Sequence, residues 1–412
     1  MKKPDLQTPK NLVLISAQYP YGFSETFLKS ELTVLSGLFA NVYIFPLEQK
    51  ESIRNVPSNV FVSTVLSSVP KPLKLKFFFK HLLFILNVLF GEFIIAKQKL
   101  FFLKNIREFN SILCQAIQKS EILDKELKNK GEKNVHYSYW MNQGALIFSV
   151  LKAKKRIPGF VYRVHGFDLF DERRKGSYMP FRYFNSKMSD AVYTVSNAGY
   201  EYLKQKRVFA EKVRLNRLGV FDLGLNPIDQ NNIFTLVSCS NLIPLKRVAL
   251  IIDALKHIEF PLKWVHIGDG YQKQKLLEKA KSIPANVQYE FKGAMSNEKV
   301  LEFYQTNSIN LFILLSETEG GVSIVLQEAA SFGIPLLGTN AGGIPEIVNE
   351  STGILVKNDV SSLEVAHEIT KFKSSFKNSA EFRNQVRKYW KDNFDASKTY
   401  KEFYYELSGC KK

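Results

Sequence analysis

Residues 316–348 read SETEGGVSIVLQEAASFGIPLLGTNAGGIPEIV. Glu319 and Glu328 bracket Gly320, Gly321 and an apolar run, and a second glycine pair, Gly342–Gly343, follows a short hydrophobic segment. The preceding NLFILLS has the composition of a buried strand, and GVSIVLQEAASFG reads as a helix beginning near Gly321–Ser323. Glycines at the turn bring backbone N–H groups close to a ligand. A helix start, with unpaired N–H groups and the positive dipole end, receives an anion. Glu328 then lies roughly 8 Å further along the helix axis, about the reach from a diphosphate to a ribose. An ionised carboxylate is purely an acceptor, so Glu328 suits the two ribose hydroxyls. Glu319, ahead of the helix, can point toward a sugar on the far side of the diphosphate. Gly342 and Gly343 would let a second backbone approach the same ligand. Either glutamate alone would sooner be read as a residue near the helix dipole or on a solvated face; the ordered set points to a nucleotide diphosphate sugar.

The surrounding chain alternates strands and helices. Strands are expected at 11–17, 41–46, 135–140, 158–166 and around AVYTV, 191–195. The series restarts after GVFDLGLNPIDQNN with IFTLVSCS, LKWVHIGDG, VQYEFKG, NLFILLS and IPLLGTN, separated by helical patterns. Such alternation indicates doubly wound parallel sheets. A chain of 412 residues also exceeds one core. The reading is α/β with two similar domains, 1–225 and 226–385, and a tail, 386–412, whose aromatic helices would pack back toward the first domain.

Lys plus Arg number 57 against 39 Asp plus Glu, a net charge of +18. That surplus attracts phosphates on nucleic acid, lipid or substrate. No nucleic-acid-binding motif is recognisable and the charge is spread along the chain, so no nucleic-acid partner is expected. Three scattered cysteines, Cys114, Cys239 and Cys410, have no metal-ligand spacing and suit a reducing cytoplasm. The short apolar run LVLISA near the N-terminus reads as a first strand rather than a signal peptide. Residues 71–104, KPLKLKFFFKHLLFILNVLFGEFIIAKQKLFFLK, stand apart. The apolar run from His81 to Ala96 is 16 residues, interrupted by Asn87 and Glu92, short of the ~20 a bilayer span needs. It reads as a basic amphipathic helix on an anionic membrane, as a helix pair covering the first sheet, or as both.

The 316–348 stretch resembles the signature of retaining family 4 glycosyltransferases: two glutamates around a small-residue turn, then EA, S, G, P and GG-x-PE. Eight residues separate the glutamates here, where the family typically has seven. The resemblance implies the GT-B fold, two facing Rossmann-like domains with a cleft between them. It implies a nucleotide-sugar donor, UDP-linked or similar, and transfer to a glycan or lipid-linked acceptor with retention. No cofactor and no metal are expected; only Asp168 and Asp171 come near an Asp-x-Asp arrangement. Lys246 in SCSNLIPLKRVALIIDAL matches the family's diphosphate-clamping lysine; Asn241 stands where an arginine is usual, and Arg247 adjoins the lysine. Gly268 of HIGDG and Gly293 of EFKG match landmarks lining the nucleotide cleft. The donor set implied is therefore Lys246, Arg247, Asn241, Gly268, Gly293, Gly320, Gly321, Val322, Ser323 and Glu328, with Glu319 toward the sugar.

In the N-terminal half, RVHGFDLF places His165 and Asp168 at a strand end, where the family's histidine approaches the transferred sugar. A neutral imidazole there can hydrogen-bond a sugar hydroxyl. YPYGFSETF resembles the loop after the first strand, giving Gly22, Ser24, Glu25 and Thr26 as cleft residues; Arg163 and Arg173–Arg174 are candidates for an acceptor's phosphate. A dehydrogenase would carry G-x-G-x-x-G after the first strand, and LISAQYPYGFSET has none. The alternatives left are a nucleotide-sugar epimerase of the same build and a non-catalytic nucleotide-sugar binder. The expected setting is the cytoplasmic face of a membrane, in surface polysaccharide assembly.

Overall fold

The structure, a computed structural model, describes residues 10–22, 25–69, 75–128, 130, 133–206, 209–228 and 233–409. Ser24, residues 71–74, part of the inter-domain stretch (229–232) and Cys410 lie outside the described residues. The chain forms two compact units, one of Met1–Asn216 with Tyr400–Lys412 and one of Arg217–Thr399.

The first unit holds a seven-stranded sheet: β1 (Asn11–Ser16), β2 (Val42–Pro46), β3 (Val60–Val62), β4 (Asn134–Ser138), β5 (Val161–Val164), β6 (Ala191–Thr194) and β7 (Val213–Leu215). Its order is β3-β2-β1-β4-β5-β6-β7, and every pairing is parallel. The second unit holds β8 (Phe234–Cys239), β9 (Leu262–Ile267), β10 (Val287–Phe291), β11 (Leu311–Leu314), β12 (Leu336–Thr339) and β13 (Gly353–Val356). They are ordered β10-β9-β8-β11-β12-β13, again all parallel. Both orders reverse beside the first strand of the unit, the Rossmann pattern.

The continuous apolar strands are explained by burial on both faces. In β1, Val13 and Ile15 enter one core cluster while Leu12 and Leu14 enter another. In β11, Phe312 and Leu314 face one helix layer, Leu311 and Ile313 the other. Each unit is thus the doubly wound α/β sheet expected from the sequence. The short strands β3, β7 and β13 add to the series read from the sequence.

The units divide at Asn216/Arg217 and again at Thr399/Tyr400, where the sequence reading placed 225/226 and 385/386. The later division has a packing cause. Helix Ala380–Phe394 buries Phe382, Val386, Trp390 and Phe394 in the core of the second unit. Only from Tyr400 does the tail join the first, where the Phe403 ring meets Tyr137 at 5.2 Å and Tyr193 at 4.9 Å.

The segment 71–104 departs from expectation in length. Its helix runs Leu75–Ile95, 21 residues, and Phe77–Ile95 is long and apolar enough to cross a membrane by length and composition. Glu92 does not interrupt it, because its carboxylate turns inward to the Tyr178 hydroxyl (2.6 Å) and the Phe184 N–H (2.8 Å). Ile85, Val88 and Leu89 pack into the core of the first unit. Phe79, Leu83, Leu86, Phe90 and Ile94 are exposed on the other side.

Candidate functional site

In the second unit the strand order reverses between β8 and β11, so the loops leaving their carboxyl ends lie side by side, the usual ligand position in such sheets. Lys246, on the turn Pro244–Lys246 after β8, forms an ion pair with Glu319, on the loop after β11. Both side chains are largely buried. The Glu317 N–H donates to the Leu245 carbonyl at 2.9 Å and ties the two loops together.

Arg247 is placed differently from its expected donor-clamping role. Its Nε donates to the Leu315 carbonyl at 2.7 Å, Nη2 to that of Ser316 at 3.2 Å, and Nη1 to that of Asn358 at 2.6 Å. Through these bonds the guanidinium braces the β11 exit, from a backbone in the left-handed region (φ 47°). Asn241 is exposed on the β8 exit loop. Gly268 approaches that loop so closely that a Cβ would lie 1.9 Å from the Ser240 carbonyl oxygen, and its N–H donates to the Gly293 carbonyl at 2.9 Å. Asn241, Gly268 and Gly293 are thus on one cluster of loops at the carboxyl edge.

Helix Ile324–Ser331 starts after Ser323, whose hydroxyl makes no capping bond. Gly320 and Gly321 form the turn before it, and Val322 is buried, its carbonyl taken by the Gln327 amide at 3.1 Å. Glu328, one turn in, is 5% exposed, and its Oε1 accepts from Asn297 Nδ2 at 2.6 Å. Burial pushes its carboxyl up to about 7, and the Asn297 bond opposes that rise. The Cys239 thiol at the end of β8 is pushed up to about 12, by burial first and by the nearby Glu328 carboxylate second.

The second glycine pair does something other than expected. A Cβ on Gly342, whose φ is +54°, would lie 2.0 Å from the Glu319 carbonyl oxygen, and one on Gly343 would lie 2.4 Å from the Gly321 carbonyl carbon. The pair brings the β12 exit loop against the Glu319–Gly321 backbone. Its close approach is to the chain itself.

In the first unit the loops after β1, β4 and β5 gather at the corresponding edge. Glu25 is buried, and its carboxylate accepts the N–H groups of Ala17 (3.0 Å), Gln18 (2.7 Å) and Tyr19 (2.7 Å) and the Trp140 indole N–H (2.6 Å). It holds the β1 exit loop, so its lone pairs are directed at the protein and not at an acceptor. Thr26 is exposed at the first position of helix Thr26–Ser36. Gly22, with Gln18 and Lys50, lines an open depression of about 930 Å³.

His165 follows β5, packed against the rings of Trp140 (4.3 Å), Tyr139 (4.8 Å) and Phe27 (5.8 Å between centroids). Both ring nitrogens are buried without a hydrogen-bond partner among the described residues. Burial, reinforced by Arg163, holds the imidazole well below its usual range, so it is neutral. Asp168 accepts from the backbone N–H groups of His165 (2.6 Å) and Met141 (2.7 Å), fastening the β5 and β4 exits together. Burial raises its carboxyl to about 6. Asp168 therefore positions His165.

Arg163 corrects the sequence reading outright. It is fully buried, ion-paired with the equally buried Glu31, bonded to Asn216 Oδ1 at 2.6 Å, and stacked under Phe403 at 4.5 Å. No acceptor can touch it, because the strand's alternation turns it into the core. Arg173 instead is exposed over Phe170 (4.7 Å), and Arg174 is half-buried over Phe167 (3.8 Å).

Two contributors carried no signal in the sequence. Asn297 belongs to a separate helix, Asn297–Thr306, and Trp140 lies in a strand exit with no motif around it. Among the described residues, no group of three or more His, Cys, Asp or Glu is placed to hold a metal ion.

Comparison with known proteins agrees with this arrangement. Residues 227–389 match the family model described as Glycosyl transferases group 1. The chain is 34% identical over 123 residues to N-acetyl-alpha-D-glucosaminyl L-malate synthase of Bacillus anthracis, covering 29% of this chain and 31% of that protein. It is 24% identical over 288 residues to the putative teichuronic acid biosynthesis glycosyltransferase TuaC of Bacillus subtilis, covering 66% of this chain and 69% of that one. The match to the malate synthase thus spans under a third of that relative's length. Among solved structures, HepE of Anabaena in complex with UDP superposes with a TM-score of 0.68 at 17% identity, covering 97% of this chain and 100% of that one. That likeness is one of fold. Residues 227–389 are therefore similar to the group 1 glycosyltransferases, and each of the two units has the Rossmann-like build found in the GT-B fold.

Proposed function

We propose that the protein transfers a sugar from a nucleotide diphosphate sugar to a lipid-linked glycan acceptor, with retention and without a metal, in surface polysaccharide synthesis at the cytoplasmic face of a membrane. The observation that carries the donor part is the placement of Glu328. It is a buried carboxyl one turn inside a helix whose uncapped start, with Lys246 and Glu319, stands at the strand-order reversal of the second sheet. The diphosphate would take the N–H groups of Gly321–Ser323 and the Lys246 ammonium, which releases Glu319 to accept from a sugar hydroxyl. Ionised Glu328 would accept from the ribose.

The acceptor hydroxyl attacks the anomeric carbon from the side of the leaving group. The bond from that carbon to the phosphate oxygen breaks, the new glycosidic bond forms, and the hydroxyl proton passes to the departing diphosphate. The protein's part is to orient both substrates and stabilise the departing charge. His165, neutral and with both nitrogens unpartnered, is suited to hold a hydroxyl of the transferred sugar. The names of relatives such as the teichuronic acid biosynthesis protein support a polysaccharide setting. The lipid-linked part rests on the exposed apolar side of helix Leu75–Ile95, since a monomer rarely leaves a large contiguous apolar patch in water.

The test is calorimetric binding of a panel of nucleotide sugars to the wild type and to Glu328→Ala, with hydrolysis and transfer followed by NMR. One donor bound tightly, lost in the variant and slowly hydrolysed, supports the reading. Conversion of the donor into an isomeric nucleotide sugar would point to an epimerase. Binding without turnover at any acceptor would leave a nucleotide-sugar binder, and no binding at all would end the proposal.

A further inference from the structure

Phe79, Leu83, Leu86, Phe90 and Ile94 recur at intervals of four, three, four and four, so they form one stripe along helix Leu75–Ile95. They are 53–84% exposed. The stripe is about 22 Å long at ~1.5 Å per residue. Its C-terminal end borders cationic groups: Lys97 lies two residues past Ile95, and Lys99, Lys104 and Arg107 lie on the two helices that follow.

At the same end the structure has a cavity of about 190 Å³, lined among others by Ile95, Lys97, Tyr178, Arg182 and Lys206. Arg182 Nη1 and Lys206 Nζ share the single carboxylate of Asp171, at 2.6 and 2.9 Å. The Arg182 Nε is buried with no acceptor among the described residues. The other acid of the cavity, Glu92, has its two oxygens engaged by the Tyr178 hydroxyl and the Phe184 N–H. Burial brings its carboxyl up to about 7, so it offsets only part of the cationic charge. Three cations, Lys97, Arg182 and Lys206, therefore face two carboxyl groups, Asp171 and Glu92. The volume equals that of about six waters at ~30 Å³ each, room for a phosphate ester with its first carbons. Ile95, 44% exposed, belongs both to the apolar helix and to the cavity wall. Apolar length and a cationic pocket thus meet at one point, the shape of an amphiphile with a phosphate head.

We infer that this cavity receives the phosphate headgroup of an anionic membrane lipid while the Phe79–Ile94 stripe lies among the acyl chains. The inference rests on the membrane part of the proposed function and adds a specific headgroup site to it.

The test uses the full chain and sedimentation with vesicles of phosphatidylcholine alone or with one part in three phosphatidylglycerol. The wild type should bind the anionic vesicles at least about tenfold more tightly. Lys97→Gln with Lys206→Gln should abolish that preference while leaving the unfolding midpoint unchanged. Lys104→Gln with Arg107→Gln, which removes equal charge outside the cavity, should cost no more than about threefold. Leu83→Glu with Phe90→Glu should end binding to both vesicles. Equal losses from the two charge-removing pairs would show a diffuse electrostatic attraction and overturn the cavity site while leaving membrane binding intact. Release of the wild type from anionic vesicles by millimolar glycerol phosphate, with no loss from the stripe variant, would show a site for free phosphate esters and overturn the lipid assignment. Failure of the wild type to bind any vesicle would overturn the membrane reading and the headgroup site together.

Discussion

Asn297 Nδ2 donates to Glu328 Oε1 across 2.6 Å, from a helix outside the strand–glycine–helix motif that carries the glutamate. A buried carboxyl close to half-ionisation at neutral pH is sensitive to one such bond. Asn297→Ala should raise the Glu328 carboxyl further and weaken donor binding about tenfold at pH 7. The loss should shrink at pH 9, where the carboxylate is ionised in either protein. Calorimetry from pH 6 to 9 reads this directly, and an unshifted profile would mean that Asn297 does not hold the acid.

The same acids set a stability slope. Glu328 and Glu92 both stand near 7 when folded, far above their ordinary range. The folded state then binds more protons than the unfolded state between about pH 4.5 and 7, so their contribution is fully present at the acid end and falls as pH rises. From pH 6 to 8 each should cost about 1 kcal/mol. Urea unfolding of Glu92→Gln and Glu328→Gln should show flatter pH dependence than the wild type, each by about that amount.

Arg163 and Glu31 lie fully out of water. Arg163→Met should destabilise the first unit by about 3–5 kcal/mol, because it strands a buried carboxylate. Adding Glu31→Leu should recover much of the loss. A variant of Arg163 that folds normally and loses only acceptor affinity would contradict the buried placement.

Gly342→Ala should displace the Glu319 backbone, since its Cβ would lie 2.0 Å from the Glu319 carbonyl oxygen at a φ of +54°. The expected result is at least about 2 kcal/mol of lost stability together with loss of donor binding. Ala at Gly224, with nothing within 4 Å of its Cβ but a φ of +106°, separates the two effects. It should be strained without touching donor affinity.

His165 should show no protonation step between pH 6 and 8 by NMR, because burial and Arg163 both disfavour the imidazolium. His165→Ala should lower turnover by about a hundredfold with a smaller effect on donor binding. Titration in that window would contradict the closed aromatic setting.

The alternation of strands and helices was legible in the sequence because central strands such as β1 and β11 are almost wholly apolar and the segments between strands carry helical patterns and glycine or polar breaks. The edges were less so. The three residues of β3 and of β7 are too few to carry a period. The unit boundary was displaced because Trp390 and its neighbours commit the penultimate helix to the second core, a fact of packing with no local mark.

The sequence by itself determined the doubly wound plan and the glycine-turned helix that sets Glu328 one turn beyond an anion-binding start, since both follow from local periodicity and backbone freedom. Tertiary structure alone decided which charged groups are available. Arg163 and Arg247 look alike in the sequence as cationic candidates, yet one is sealed against Glu31 and the other braces the backbone at Leu315 and Ser316. The bond from Asn297 to Glu328 spans 31 positions, and that from Arg163 to Glu31 spans 132. Burial and such distant partners fix where a side chain points and how it titrates, and neither leaves a trace in the spacing of residues along the chain.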